Sequence, residues 1–135
     1  MNESILIIED DALNLKLARI TLDLAGFAVR TATNAEEGLR ALSFHVPKLI
    51  LLDIKLPDRD GMSLARQLKA DPQFKHVSIV AITACAMKGD KEKILAAGCD
   101  AYVAKPVEPE QLVEIIRARL RIMGQVDVAL TTEFS

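Results

Sequence analysis

Short apolar runs of strand length recur along this chain and constrain its fold more than any other feature. The runs span residues 4–9, 27–32, 48–53, 77–83 and 101–105. Three of them are too continuously apolar to lie half-exposed on a sheet surface. Strands covered on both faces have this composition, and they occur in parallel sheets. The pattern therefore predicts a parallel sheet packed between helices.

Amphipathic segments of helical period separate these runs. Leu13, Leu17, Ile20 and Leu24 recur at i, i+4, i+7 and i+11 before Gly26, and we interpret them as the apolar stripe of a first helix. Further helices are predicted from Asn34 to about residue 44, around 62–69, over 88–97 and over 109–122, the last with an apolar stripe of Leu112, Ile115, Ile116 and Leu120. A strand-helix unit repeated five times predicts an α/β doubly wound sheet with helices on both faces.

Length and charge limit the domain count and the classes of partner. The 135 residues fit one domain, which we place at 1–123, with 124–135 as a flexible C-terminal tail. The net charge of −2, with both signs interspersed, argues against nucleic acid or an anionic membrane as a partner. No signal peptide or membrane span is recognisable, so we expect a cytoplasmic protein. Cys85 and Cys99 form no CxxC motif, and both are expected to be small buried or half-buried residues.

Polar residues stand where four of the apolar runs end. The first run ends in Glu9, Asp10 and Asp11, and the others end in Asp53, Thr83 and Lys105. Ligands of open α/β sheets bind just beyond the carboxyl ends of the strands. We therefore expect these side chains to form one site.

Carboxylates crowded at one edge require a compensating charge. If Asp10, Asp11 and Asp53 converge, two unit charges about 4 Å apart repel by roughly 4 kcal/mol at an effective dielectric constant near 20. Mg²⁺ offsets this repulsion and usually binds a few carboxylates together with a phosphate-bearing substrate. Alternatively, Asp10 and Asp11 only cap the following helix.

The other strand-end residues are ambiguous when taken singly. Asp53 is either a helix cap or a nucleophile that forms an aspartyl-phosphate. A lone Thr83 is most simply a strand residue, and a lone Lys105 a solvated one. Four such residues at equivalent positions favour a phosphoryl-transfer site.

The segments "IIEDD", "LILLDIKLPDRDG", "AITACAMKGD" and "GCDAYVAKP" resemble the receiver domain of two-component response regulators, over residues 4 to 122. The stretches "DDALNLKLAR" and "TACAMKGDKEKILAAGCDAYVAKP" look like stand-alone receivers of the DivK type. The resemblance implies a flavodoxin-like or CheY-like three-layer sandwich with strand order 2-1-3-4-5.

The resemblance also implies the metal site. Asp53 matches the phosphorylated aspartate. Asp10 and Asp11 match the acidic pair, with Asp11 and Asp53 as direct Mg²⁺ ligands and Asp10 acting largely through water. The backbone carbonyl of Lys55 matches a third protein ligand.

The remaining matched residues concern the phosphoryl group and the switch. Thr83 matches the hydroxyl that follows the phosphoryl group, and Lys105 the cation that pairs with it. Tyr102 matches the aromatic residue whose rotamer reports the state, and the bond before Pro106 is expected to be cis. Phosphorylation would then reshape the surface formed by helix 88–97, strand 101–105 and helix 109–122.

The resemblance implies a phosphoprotein of a two-component system or phosphorelay rather than a turnover enzyme, with only self-directed phosphotransfer and autodephosphorylation. Expected partners are a histidine kinase, a histidine phosphotransfer protein and a downstream effector, and the chain is expected to be a monomer or a weak phosphorylation-dependent dimer.

Four alternatives remain. The first is a haloacid-dehalogenase-like phosphatase, although Lys55 stands where its second DxD carboxylate belongs. The second is a flavodoxin-like nucleotide or flavin module, although no glycine-rich loop follows the first strand. The others are a pseudo-receiver scaffold and a receiver fragment of a hybrid histidine kinase.

Overall fold

The computed structural model describes residues 3–84 and 88–134, with only the backbone described for residue 88 and residues 124–134. The strands are β1 (Ser4–Ile8), β2 (Ala28–Ala32), β3 (Leu49–Asp53), β4 (Ser78–Thr83) and β5 (Ala101–Ala104). The helices are α1 (Ala12–Leu24), α2 (Ala35–Phe44), α3 (Gly61–Ala70), α4 (Lys88–Ala96) and α5 (Pro109–Phe134).

The five strands form one parallel sheet in the order β2-β1-β3-β4-β5. This confirms the predicted doubly wound α/β fold and the strand order that the resemblance implied. β1 and β3 are central and almost fully buried. Their burial on both faces explains why their sequences are continuously apolar rather than alternating.

Alternate strand residues face two separate cores. On one face, Ile5, Ile7, Leu49 and Leu51 pack with α1 and α5 residues such as Leu22 and Ile116. On the other face, Leu6, Ile8, Ile50 and Leu52 pack with residues of α2, α3 and α4, including Leu42, Leu64 and Ile94. Because side chains alternate between the faces of a strand, the parity of a residue decides which core it joins.

The first helix forms as predicted, but its predicted stripe does not face the core. Leu13, Leu17, Ile20 and Leu24 are 65%, 56%, 45% and 84% exposed. The buried side chains of α1 are Ala18 and Leu22. Both sets recur at helical spacing, so the period identifies the helix without saying which side packs on the sheet.

Several smaller predictions have mixed outcomes. Cys99 is buried as expected, and burial raises the pKa of its thiol to about 11, while Cys85 lies outside the described residues. α5 continues past residue 123, the predicted end of the domain, and the flexible tail at 124–135 stays a prediction because the side chains there lie outside the description. Within the described segments, no helix has the length and apolar character needed to cross a membrane.

Candidate functional site

The carboxyl ends of the strands bring the predicted polar residues to one edge of the sheet. Ile8 lies beside Leu52, Asp53 beside Ile82, and Thr83 beside Ala104. Glu9 and Lys105 directly follow β1 and β5. The carboxyl ends of the strands therefore meet at one edge, as the succession of strands and helices in the sequence predicted.

Three carboxylates converge at this edge. Glu9, Asp10 and Asp53 each offer an oxygen, and these oxygens lie within 4.8 Å of one another. Glu9 and Asp53 are only 1% and 3% exposed, whereas Asp10 is exposed. At that separation two carboxylate charges repel by about 3 kcal/mol at an effective dielectric constant near 20.

The structure places Asp11, predicted as a direct metal ligand, at the start of α1. Asp11 is the N-cap of α1, and its Oδ1 accepts a hydrogen bond of 2.9 Å from the backbone N–H of Asn14. It lies outside the convergent carboxylate group, in which Glu9 is found instead. The two interpretations of the acidic run are thus divided between neighbours: Asp10 joins the carboxylate cluster and Asp11 caps the helix.

Strand parity explains why Glu9 belongs to the site. Ile5 and Ile7 face the α1–α5 side, and Glu9 continues this alternation. Asp53 follows Leu49 and Leu51 in the same way on β3. Sequence reasoning placed Glu9 at this edge but did not include it among the metal-binding carboxylates, although counting alternate positions from the neighbouring isoleucines would have done so.

Lys105 supplies the positive charge of the cluster. Its Nζ lies 3.2 Å from Asp53 Oδ2 and 3.4 Å from Glu9 Oε2. Partial burial acts to lower the pKa of Lys105, but the charges of Asp53 and Glu9 outweigh it and raise the pKa above its usual value. Lys105 therefore stays charged beside Asp53 at neutral pH.

The single ammonium group leaves the carboxylates undercompensated. Burial, followed by the proximity of Asp53, raises the pKa of Glu9 to about 7, although the Asp11 N–H and Lys105 act against this shift. Glu9 Oε1 accepts the Asp11 N–H at 3.1 Å, whereas the buried Oε2 accepts no hydrogen bond from the described residues. A buried, unsatisfied carboxylate oxygen among convergent acids suits a hard divalent cation.

The loop after β3 holds the Asp53 carboxylate in place. The backbone N–H of Lys55 donates to Asp53 Oδ1 at 3.0 Å. Gly61 turns the chain tightly beneath it, because a Cβ at this position would lie 2.4 Å from the Asp53 carbonyl oxygen. Asp58 ties the same loop to α2 by accepting the N–H groups of Ala35 and Glu36, each at 2.9 Å.

Thr83 and Tyr102 occupy the alternate strand positions, which face the opposite side of the sheet from Glu9 and Asp53. Thr83 is 5% exposed and follows Ala81 on β4, which faces the α2–α4 side. Tyr102 pairs with Ala81 and packs half-buried on that same side, with Lys91 Nζ 5.4 Å from its ring centroid. The Lys105–Pro106 bond is cis, the isomer that the resemblance implied.

A family model described as the response regulator receiver domain matches residues 5–117. The chain belongs to this receiver family. Polar-differentiation response regulator DivK of Brucella anthropi is 39% identical over 120 residues, which cover 89% of this chain and 98% of that protein. The match confirms the recognised family and the resemblance to DivK receivers.

Solved structures agree with the family assignment of the receiver. A CheY-like receiver protein from Methanospirillum hungatei superposes with a TM-score of 0.85 at 32% identity, covering 93% of this chain and 98% of its own. The receiver domain of a sensor histidine kinase from Pseudomonas aeruginosa superposes with a TM-score of 0.81 at 31% identity, covering 92% and 99%. That receiver was solved with a magnesium ion coordinated in its active-site cleft.

Proposed function

We propose that Asp53 of this receiver accepts a phosphoryl group from a phosphohistidine of a partner protein. The observation that carries the proposal is the placement of one buried carboxylate beside both a cation and a carboxylate cluster. Lys105 Nζ lies 3.2 Å from Asp53 Oδ2, and the Asp53 carboxylate converges with those of Glu9 and Asp10. A carboxylate in this setting is an oxygen nucleophile with one compensating cation already beside it.

The transfer forms one bond and breaks one. A carboxylate oxygen of Asp53 attacks the phosphorus, the P–N bond breaks, and the imidazole leaves with the electron pair of that bond. Lys105 neutralises charge on the phosphoryl oxygens as it develops. Thr83 follows the bound phosphoryl group, and Tyr102 reports the state to the α4–β5–α5 surface.

The cation that fits this site is Mg²⁺. We assign Glu9, Asp10, Asp53 and the backbone carbonyl of Lys55 as the groups that hold it, directly or through water. The convergence of three carboxylates, and the absence of a hydrogen-bond donor to the buried Glu9 Oε2 among the described residues, support this choice. When bound, the cation neutralises the carboxylates and polarises the phosphoryl oxygens.

Signalling then depends on protein contacts. The proposed partners are a histidine kinase or a histidine phosphotransfer protein as donor and an effector protein as recipient, all in the cytoplasm. DivK of Brucella anthropi is named as a polar-differentiation response regulator, which fits a signalling role of this kind. No turnover of a separate substrate is proposed beyond self-directed phosphotransfer and autodephosphorylation.

The acceptor role is tested with phosphoramidate, a small donor that contains a P–N bond. With Mg²⁺ present, we expect mass spectrometry to find one added phosphoryl group on the wild type and none on Asp53→Asn. Asp71→Asn is the matched control, because Asp71 caps the far end of α3 and its carboxylate accepts only the local N–H of Gln73 among the described hydrogen bonds. Labelling that persists in Asp53→Asn would refute the proposal, as would equal labelling of the wild type with and without EDTA.

A further inference from the structure

The exposed face of α1 carries an apolar stripe that the fold leaves uncovered. Leu13, Leu17, Ile20 and Leu24 are 45% to 84% exposed. On a helical wheel of about 100° per residue, the stripe is roughly 60° wide and centred about 150° from the buried Ala18 and Leu22. It points away from the sheet, and on one flank Ile20 and Leu24 border an open groove between α1 and α5.

The spacing of this stripe matches a coiled-coil seam. Successive members are separated by four, three and four residues, which is the d-a-d-a pattern of a heptad. A narrow seam of this kind packs against another helix with a parallel or antiparallel axis, whereas a core-facing stripe is wider.

We propose that this face binds a second copy of the same chain, with the two α1 helices antiparallel about a two-fold axis. In an antiparallel pair each a position packs against a d position. Leu17 then packs on Ile20 of the second copy, and Leu13 on Leu24 of the second copy. Both of these pairs form in the same register. The stripe is therefore complementary to itself, as a two-fold interface requires.

Charge supports the same register. Lys16 and Asp23 occupy the two g positions of the seam, and antiparallel packing places g opposite g. Lys16 of each copy therefore faces Asp23 of the other, twice in the dimer. Asp23 is available, because its present partner Arg19 lies 3.8 Å away and the Arg19 and Asp23 side chains are 57% and 52% exposed. The other flank pairs Asn14 with Thr21, which are both polar.

The dimer is expected to be weak. α1 has 13 residues and is therefore about 20 Å long. A single helix pair of this length buries less than the roughly 1,200 Å² of a standard interface. The association should therefore depend on protein concentration in the micromolar to millimolar range, roughly the affinity of transient complexes.

Sedimentation equilibrium across that concentration range tests the dimer. We expect a monomer–dimer equilibrium for the wild type, and at least a tenfold weaker association for Leu17→Glu. Leu95→Glu is the matched control, since Leu95 is 49% exposed but lies on α4. Because both sites are exposed, circular dichroism should show an unchanged fold.

Charge exchange tests the flanking pairs. Lys16→Glu places two acidic groups opposite each other and should weaken the dimer, whereas the double variant Lys16→Glu/Asp23→Lys restores opposite charges and should recover association. Lys93→Glu on α4 makes the same charge change away from the seam and should have no effect.

Cysteine pairing tests the register. In a Cys85→Ser background, a mixture of Leu17→Cys and Ile20→Cys chains should form a disulfide heterodimer, and neither variant alone should form one. Native Cys99 does not interfere, because it is buried and its thiol pKa is about 11. Cross-linking of Leu17→Cys with itself would indicate a parallel pair and overturn the register.

Two results would overturn the proposal itself. These are a wild type that remains monomeric throughout the range, and a dimer broken by Leu95→Glu but not by Leu17→Glu. If the wild type is monomeric and Leu17→Glu impairs only transfer from a protein donor, the stripe is assigned to the donor instead. Phosphoramidate labelling of Asp53 is measured separately, so failure of the dimer and failure of the acceptor role are distinguishable.

Discussion

Replacing Glu9 by glutamine should make the protein more stable at alkaline pH. Glu9 is 1% exposed, and burial together with Asp53 raises its pKa from 4.5 to about 7. A folded-state pKa above the unfolded value means that folding takes up a proton between these two pH values. The stability contributed by this proton is complete below the unfolded pKa and is lost as the pH rises through the folded one.

The size of the effect follows from the two pKa values. A rise from 4.5 to about 7, at 1.36 kcal/mol per unit, corresponds to about 3 kcal/mol. Glutamine has the same shape without the charge, and Lys105 keeps Asp53 as a partner at 3.2 Å. Glu9→Gln should therefore gain up to about 3 kcal/mol over the wild type near pH 8 and nothing near pH 4.

Urea denaturation from about pH 4 to pH 8.5, with EDTA present, measures this difference. Glu3→Gln is the matched control, because Glu3 is exposed. The stability of this variant should change with pH in the same way as that of the wild type. A second series with Mg²⁺ should stabilise the wild type more than Glu9→Gln, because a bound cation favours the ionised carboxylate. A difference between Glu9→Gln and wild type that stays constant across the pH range would refute the reasoning.

Two further predictions concern the acidic run and the glycines. Titration calorimetry should show that Asp10→Asn weakens Mg²⁺ binding while Asp11→Asn leaves it nearly unchanged, since asparagine remains a good N-cap for α1; equal losses would return Asp11 to the metal site. Thermal denaturation should show that Gly61→Ala is destabilising, because its Cβ would lie 2.4 Å from the Asp53 carbonyl oxygen. Gly89→Ala has nothing within 4 Å of its Cβ and should increase the free energy of unfolding by up to about 1 kcal/mol. A stability change of the same sign in both variants would contradict the close-approach argument.

The acidic run shows where sequence reasoning stopped. Asp10 and Asp11 are both acids beside a strand end, and either is suited to capping a helix or binding a metal. The choice depends on the residue at which the strand stops and the helix begins. The structure ends β1 at Ile8 and starts α1 at Ala12, which makes Asp11 the N-cap and brings Glu9 into line with Asp53. If the end of the strand and the start of the helix were shifted by one residue, the roles of helix cap and clustered carboxylate would pass to the neighbouring residues.

The stripe on α1 shows a second limit. Its period predicts a helix correctly, because periodicity depends only on the local chain. Which side of that helix faces the sheet depends on how the connections before and after α1 leave the strands. Ala18 and Leu22 therefore form the packed side, although the four large apolar residues of the stripe recur with the same period.

The sequence by itself determined the order of strands and helices, the parallel sheet and the edge at which polar residues gather, because these depend on local periodicity and on the fixed handedness of crossovers. Only the tertiary structure decided which acids share the site, how Lys105 pairs with them and which face of α1 stays exposed. Those features depend on distances of a few ångströms between segments far apart in the chain, and hydrophobic patterns do not encode such distances.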